Sequence, residues 1–209
     1  MSHIKMSNIQ DGAWAAIYTP FEVDELIAFC SDIERLYRIN PYLEFKQSTK
    51  LDDSHYRFIG KNTSQDPEYE FDVEVSVKPT EQGFILTWSN GIKATTEIRI
   101  EASDKPGKLT QSKLTIMDTY ALTVTDDLEK NPRLREVDKS LITWIQDIQK
   151  YLLGWHRWSK FRTWRWYMRK VWQPMKPSGR RITYMMLWIT VVEIALISLG
   201  AAIYYVEFT

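Results

Sequence analysis

Apolar side chains recur along this chain with two different periods, and the switches between them lay out its elements. Ala13–Thr19 is short and apolar-rich, ends at Pro20, and predicts a strand. Within Phe21–Ser31 the apolar residues Val23, Leu26, Ile27 and Cys30 fall at helical spacing. Asp32–Asn40 continues with Ile33, Leu36 and Tyr37, a second short helix before Pro41. A period of two then takes over. Tyr42–Lys50 and His55–Lys61 flank an Asp52-Asp53-Ser54 turn. Tyr69–Pro79 sets Tyr69, Phe71, Val73, Val75 and Val77 on one face and Glu70, Asp72, Glu74, Ser76 and Lys78 on the other. After Glu81-Gln82-Gly83, Phe84–Ser89 meets Ile92–Ala102 across Asn90-Gly91, a dipeptide suited to the positive φ of a tight hairpin. Ile92, Ala94, Thr96, Ile98 and Ile100 share one face of that strand, while Lys93, Thr95, Glu97, Arg99 and Glu101 take the other. Beyond the turn at Asp104–Lys108, Lys108–Thr119 is the last strand. Turns this short predict an antiparallel meander.

The period then returns to helical. Asn131 is a capping residue, Pro132 suits a first helical position, and Leu134, Val137, Leu141, Ile145, Ile148 and Leu152 follow at spacings of three and four. The order is one strand, two short helices, six strands and one long helix. That order predicts an α+β domain in which a seven-stranded antiparallel sheet wraps its apolar face on the long helix.

Ile182–Val206 breaks both periods. It reads ITYMMLWITVVEIALISLGAAIYYV, twenty-five residues whose single formal charge is Glu193. A helix needs about 20 apolar residues to cross a hydrocarbon layer of about 30 Å, so the segment predicts a transmembrane helix. Arg180 and Arg181 precede it, and Tyr184, Trp188, Tyr204 and Tyr205 near its ends resemble an aromatic belt. The chain therefore divides into a flexible N-terminus (1–12), a globular domain (13–153), a juxtamembrane segment (154–181), the membrane helix (182–206) and a short tail (207–209).

Charge sharpens this division. The whole chain is formally neutral, yet residues 1–153 carry 18 Lys/Arg against 25 Asp/Glu, and residues 154–209 carry 9 against 2. All nine basic residues of the second part lie between 154 and 181. The positive-inside tendency then puts the N-terminal domain in the cytoplasm, with a single pass through the inner membrane. The polar start of the chain has no apolar core of a secretory signal, and one cysteine, Cys30, fits a reducing compartment.

Residues 154–172, GWHRWSKFRTWRWYMRKVW, hold five tryptophans and six Lys/Arg without a carboxylate. On a helical wheel the cations spread around the axis and so do the rings, which argues against a simple floating amphipathic helix. The expected form is a bent segment, broken at Gly154 and at Pro174–Pro177 and partly packed on protein. Its membrane-interface residues are Trp155, Arg157, Trp158, Arg162, Trp164, Arg165, Trp166, Arg169, Lys170, Trp172, Arg180 and Arg181. Membrane lipids are the expected partners and nucleic acid is not. Glu193 near the middle of the span is costly in lipid. With the small-residue surface of Ser198 and Ala202, it marks a face for a partner membrane helix.

The opening words IYTPFEVDELIAFCSDIERLYRINPYLEF have a characteristic order: a strand ending at Pro20, a helix, Asp32, a short helix, then Asn40-Pro41-Tyr42. With the element order that follows, residues 13–153 resemble the START-like, Bet v 1-like superfamily, nearest its polyketide cyclase/dehydrase and coenzyme-Q-binding-like branch. The resemblance implies a helix-grip fold with an apolar cavity between sheet and helix. The soluble members end at the grip helix, whereas this chain continues into the Trp/Arg segment and a membrane span.

Candidate chemistry is sparse. His3, His55 and His156 have no spacing suited to metal binding or to a nucleophile–base pair. Cys30 lies on the apolar side of its helix, and no glycine-rich phosphate loop occurs. No catalytic residue, metal or cofactor is expected. The inward apolar set is Phe71, Val73, Val75, Trp88, Ile98, Ile100, Leu114 and Ile116 from the sheet, with Leu141, Ile145 and Ile148 from the helix. Thr96 and Asp118 are candidate polar groups among them. This set either fills a core or lines a site for a hydrophobic ligand such as a lipid, quinone, sterol or isoprenoid. The competing expectation is an accessory or assembly subunit of a membrane complex that uses the domain for docking. A cyclase or hydrolase is a distant third.

Overall fold

The computed structural model describes residues 10–64, 66–90, 93–105, 107–121 and 139–208. Its strands are β1 (Gln10–Thr19), β2 (Leu43–Lys50), β3 (His55–Asn62), β4 (Tyr69–Thr80), β5 (Gly83–Trp88), β6 (Lys93–Ala102) and β7 (Ser112–Ala121). All pair antiparallel, in the order β1-β7-β6-β5-β4-β3-β2. Six strands follow one another as a meander, and β1 closes the far edge on β7 with Ile17 opposite Leu114. The turn into β5 needs Gly83: its φ is +141°, and a Cβ there would collide with the Ile98 carbonyl.

Two short helices follow β1. The backbone N–H of Glu22 donates to the Glu25 carboxylate at the head of α1 (Val23–Cys30). Asp32 Oδ1 accepts from the Arg35 backbone N–H at 3.1 Å and so caps α2 (Ile33–Arg38). The long helix α3 spans Leu141–Trp158. Its buried stripe of Leu141, Trp144, Ile145, Ile148, Tyr151 and Leu152 has the three- and four-residue spacing that lays one helix face on the sheet. This is the helix-grip arrangement expected from the sequence.

Two boundaries differ from expectation. Lys139 and Ser140 form a turn, so α3 begins at Leu141; Asn131, Pro132, Leu134 and Val137 lie outside the described residues, as do Gly91 and Ile92 of the expected hairpin. At the other end α3 runs through Gly154 without a break. A lone glycine costs a helix only about 1 kcal/mol, and tertiary packing of Tyr151, Leu152 and Trp155 outweighs it. The bend comes at Ser159–Lys160 instead. There follow α4 (Arg162–Tyr167), a wide π-helical turn (Met168–Trp172) and a second bend at residues 173–176.

The last helix, α5 (Pro177–Phe208), is 32 residues long. It is long and apolar enough to cross a membrane: the most apolar stretch has a mean hydropathy of 2.2, and none of it is buried against the rest of the protein. At 1.5 Å per residue, Ile182–Val206 measures about 37 Å, more than the hydrocarbon layer requires.

Candidate functional site

The concave face of the sheet carries the inward apolar set. Val75, Ile98, Ile100, Leu114 and Ile116 are at most 1% exposed, Val73 is buried, and Phe71 and Trp88 are half-buried. Leu141, Ile145 and Ile148 meet them from α3. Pairing explains the alignment. Ile98 faces Ile116 and Ile100 faces Leu114 across β6 and β7, so one alternating face of each strand points to the helix.

Between these layers lies a knot of rings. Tyr37 of α2 sits 4.7 Å from Trp144, 5.5 Å from Trp88 and 6.1 Å from Phe58, centroid to centroid. Trp144 is fully buried, and its indole N–H donates to the Leu36 carbonyl at 3.0 Å. Asn40 and Ser140, also buried, join through a 2.7 Å hydrogen bond and pin the start of α3 to the end of α2. Trp144 lies within the apolar stripe of α3, three residues after Leu141. That position is the signal for its burial, though nothing in the sequence distinguishes it as the centre of the knot.

Two polar features interrupt this apolar face: a buried Thr19–Ser112 hydroxyl pair at 2.8 Å, and a larger set around Asp118. Asp118 is fully buried. Its Oδ1 accepts from the Thr96 hydroxyl at 2.5 Å, and its Oδ2 lies 2.8 Å from the Lys93 ammonium. The Trp88 indole N–H donates to Thr96 Oγ1 at 3.1 Å, and the ammonium lies 5.3 Å from the Trp88 ring centroid. Four side chains from β5, β6 and β7 thus form one connected set. Strict alternation puts Lys93 on the outer face, and the structure corrects this. The register slips between Lys93 and Thr95, so Lys93 stands opposite Tyr120, two residues beyond Asp118 and on the same face. A bulge adds one residue and reverses the facing of everything before it. The set buries a carboxylate, an ammonium and a hydroxyl within the concave face, each bonded to another member of the set.

The other candidate groups do not converge on this site. His55 pairs with Asp52 at 2.8 Å in an exposed turn. The Ser54 backbone N–H, then His55, hold the Asp52 carboxyl down at about 2. His156 sits edge-on to Phe21. Burial pushes the Cys30 thiol up to about 12, which makes it a packing residue. Among the described residues no three His, Cys, Asp or Glu side chains gather as metal ligands do.

The Trp/Arg segment divides in two. Trp155, Trp164, Tyr167 and Trp172 pack against the domain's core, and Met168 is buried within it. Arg35 from α2 enters this layer. Its guanidinium lies 4.7 Å from Phe29, 4.9 Å from Trp155 and 5.3 Å from Tyr151, and it donates to the Tyr151 hydroxyl at 2.8 Å. Arg169 lies 5.7 Å from the Trp155 ring. Arg180 closes the layer. It donates to the carbonyls of Trp172 (3.0 Å), Gln173 (3.0 Å) and Arg38 (2.6 Å), and it stacks 4.1 Å from the Trp172 ring. Arg181 reaches the Pro41 carbonyl. The first turn of α5 is therefore bolted to the end of α2, a contact no local pattern announces. Trp158, Trp166, Arg157, Arg162, Arg165, Arg169 and Lys170 remain exposed, as do Glu193, Ser198 and Ala202 on α5.

No family model and no curated protein matches the sequence. Solved structures similar in fold include DR_A0006 from Deinococcus radiodurans (14% identity, TM-score 0.48, covering 69% of this chain and 99% of that one). Others are TTHA0849 from Thermus thermophilus (13%, 0.47, covering 69% and 98%) and Ara h 8.0201 (13%, 0.46, covering 69% and 99%). The helix-grip assignment stands on this chain's own strand order and on the place of α3 against the sheet.

Proposed function

We propose that the protein is a single-pass membrane protein whose helix-grip domain binds a hydrophobic ligand, without chemistry, at the cytoplasmic face of the inner membrane. The ligand class is a lipid, quinone, sterol or isoprenoid with a polar end. The observation that carries this reading is the Trp88–Thr96–Asp118–Lys93 set, a buried carboxylate paired with an ammonium on the largely apolar concave face. Buried charges are costly and tend to cluster at functional sites. The apolar length of α5 and the basic stretch before it support the membrane placement and its orientation. Such placement puts the domain where a bilayer-borne ligand is concentrated.

The test is native mass spectrometry of the full chain released in gentle detergent. A discrete lipid-sized adduct is expected, lost in Trp88→Ala and in Asp118→Asn. A chain that carries no adduct under any extraction sinks the carrier reading.

A second reading has its own support. The rings of Tyr37, Phe58 and Trp144 occupy space between sheet and helix, and α5 exposes Glu193, Ser198 and Ala202 along its length. A filled grip and an unpartnered polar residue in the span suit an accessory or assembly subunit that docks on a membrane complex. Here the same experiment returns stoichiometric membrane proteins that Glu193→Leu removes; unchanged co-purification of those proteins in Glu193→Leu argues against this role for Glu193.

A further inference from the structure

We propose that Tyr37 is a plug in the grip and that Arg180, on the first turn of α5, is the latch that holds it shut. The proposal rests on the ligand-binding reading above and names how that same site is opened.

The plug follows from position. Tyr37 is 2% exposed, and its ring stands between the two walls of the grip: Trp88 and Phe58 of the sheet at 5.5 and 6.1 Å, and Trp144 of α3 at 4.7 Å. Trp88 in turn carries the hydrogen bond to Thr96 that begins the polar set. Protein interiors pack as densely as organic crystals, so a ligand lying between these walls takes the space of this ring. The filled grip is then the closed state of the site.

The latch follows from how the backbone after Tyr37 is tied. A helix leaves its last carbonyls without partners in its own backbone ladder, and α2, six residues long, is too short to hold its shape alone. The Leu36 carbonyl accepts from the Trp144 indole N–H and the Ile39 backbone N–H, and the Tyr37 carbonyl from the Asn40 backbone N–H. The Arg38 carbonyl accepts from Arg180 at 2.6 Å. Arg181 adds the Pro41 carbonyl at 3.3 Å and stands 5.9 Å from the Tyr42 ring. Arg180 is itself fixed by the Trp172 and Gln173 carbonyls and by the Trp172 ring. Two arginines at the head of α5 therefore hold residues 38–42, the stretch that begins one residue after the plug. Their bonds are charge-assisted and so stronger than those between neutral groups. Release at Arg180 loosens this end alone, because Ile33 and Leu36, both fully buried, keep α2 seated.

The test follows uptake of a diazirine-bearing stearic acid by the full chain in phosphatidylcholine nanodiscs, with labelled peptides mapped after flashes at increasing times. In wild type, label is expected to reach β5–β7 around Trp88 slowly, while α5 labels at once and reports the probe's level in the bilayer. Arg180→Gln leaves every ring in place and should speed labelling around Trp88 about tenfold, the size of one charge-assisted hydrogen bond. Arg181→Gln, which loses the longer contact, should speed it less. Tyr37→Ala removes the plug outright and should label fastest; if it fails to fold, Tyr37→Leu takes its place. Arg180→Gln added to the Tyr37 variant should give no further gain, which separates a latch acting through Tyr37 from a general loosening of the fold. Labelling of the grip at the wild-type rate in Arg180→Gln, or a further gain in the double variant, overturns the proposal while ligand binding stands. Label absent from the grip even in the Tyr37 variant, with α5 labelled, overturns both.

Discussion

Trp144 and Trp158, fourteen residues apart on α3, meet opposite fates. Trp144 meets Tyr37, which in turn packs on Phe58, all at most 2% exposed, and the Trp144 indole N–H is satisfied by a backbone carbonyl. At the end of α3 and beyond it, Trp158, Phe161 and Trp166 are 42%, 55% and 62% exposed, among cations that have no carboxylate in their own segment. Composition makes both regions look alike. The difference is register: Trp144 falls on the stripe that faces the sheet, while Trp158, Phe161 and Trp166 fall off the faces by which Trp155, Trp164 and Trp172 pack on the core. Aromatic residues are a core where an opposing layer exists, and a contact surface where it does not.

The contrast is broken most severely at Trp144. Trp144→Ala should cost about 3–5 kcal/mol, because the knot cannot collapse into the space and the Leu36 carbonyl loses the shorter of its two hydrogen bonds. Trp166→Ala, exposed, should change stability by less than about 0.5 kcal/mol. Chemical denaturation of both variants measures the difference, and equal losses would erase the distinction between the two regions. Next in size is the buried charge. Asp118→Leu strands the Lys93 ammonium without this carboxylate and should cost about 3–5 kcal/mol, while Lys93→Met together with Asp118→Leu should recover most of the loss. A double variant as unstable as the single one would mean the two charges are not coupled.

Arg180 joins the two regions and gives a smaller effect. Arg180→Gln removes a fork that spans three carbonyls and a ring, and should cost about 1–3 kcal/mol. The loss should be local. Hydrogen exchange should quicken at residues 38–42 and 173–177 and stay unchanged in β6 and β7. The smallest effect is that of Cys30. Burial holds its thiol un-ionised to about 12, against 9.0 for an ordinary thiol. Above pH 9 the unfolded chain releases a proton that the folded chain keeps, so this contribution to stability is complete below pH 9 and declines as pH rises towards 12. An alkylating reagent should leave Cys30 unmodified in the folded protein and label it once denatured; modification at the native rate of a free thiol would contradict its burial.

Much of the fold is legible in the sequence because it repeats locally. Alternation in Tyr69–Pro79, the turn at Gly83 and the 141/145/148 stripe each state a periodicity that the structure keeps. The candidate site is legible in part. Thr96 and Asp118 stand out as polar residues at inward positions, and they meet. Alternation places Lys93 on the wrong face because a bulge changes parity without leaving a residue type that marks it. The α3 break expected at Gly154 falls at Ser159–Lys160, since packing of Tyr151 and Trp155 outweighs one glycine. Arg180 and Arg35 are unreadable for another reason. Their partners, Arg38 and Tyr151, lie more than a hundred residues away, and a guanidinium that binds carbonyls and rings has no sequence complement.

The most direct test of ligand binding inside the grip is photo-crosslinking in native membranes with a diazirine-bearing hydrophobic probe, read by peptide mapping of the full chain. Binding in the grip predicts labelled peptides from β5 to β7 around Trp88 and Ile116, and from α3 around Leu141 and Ile145, reduced in Asp118→Asn. Labels confined to residues 154–206 would contradict it, leaving the helix-grip domain as a docking body held at the membrane by its aromatic bend.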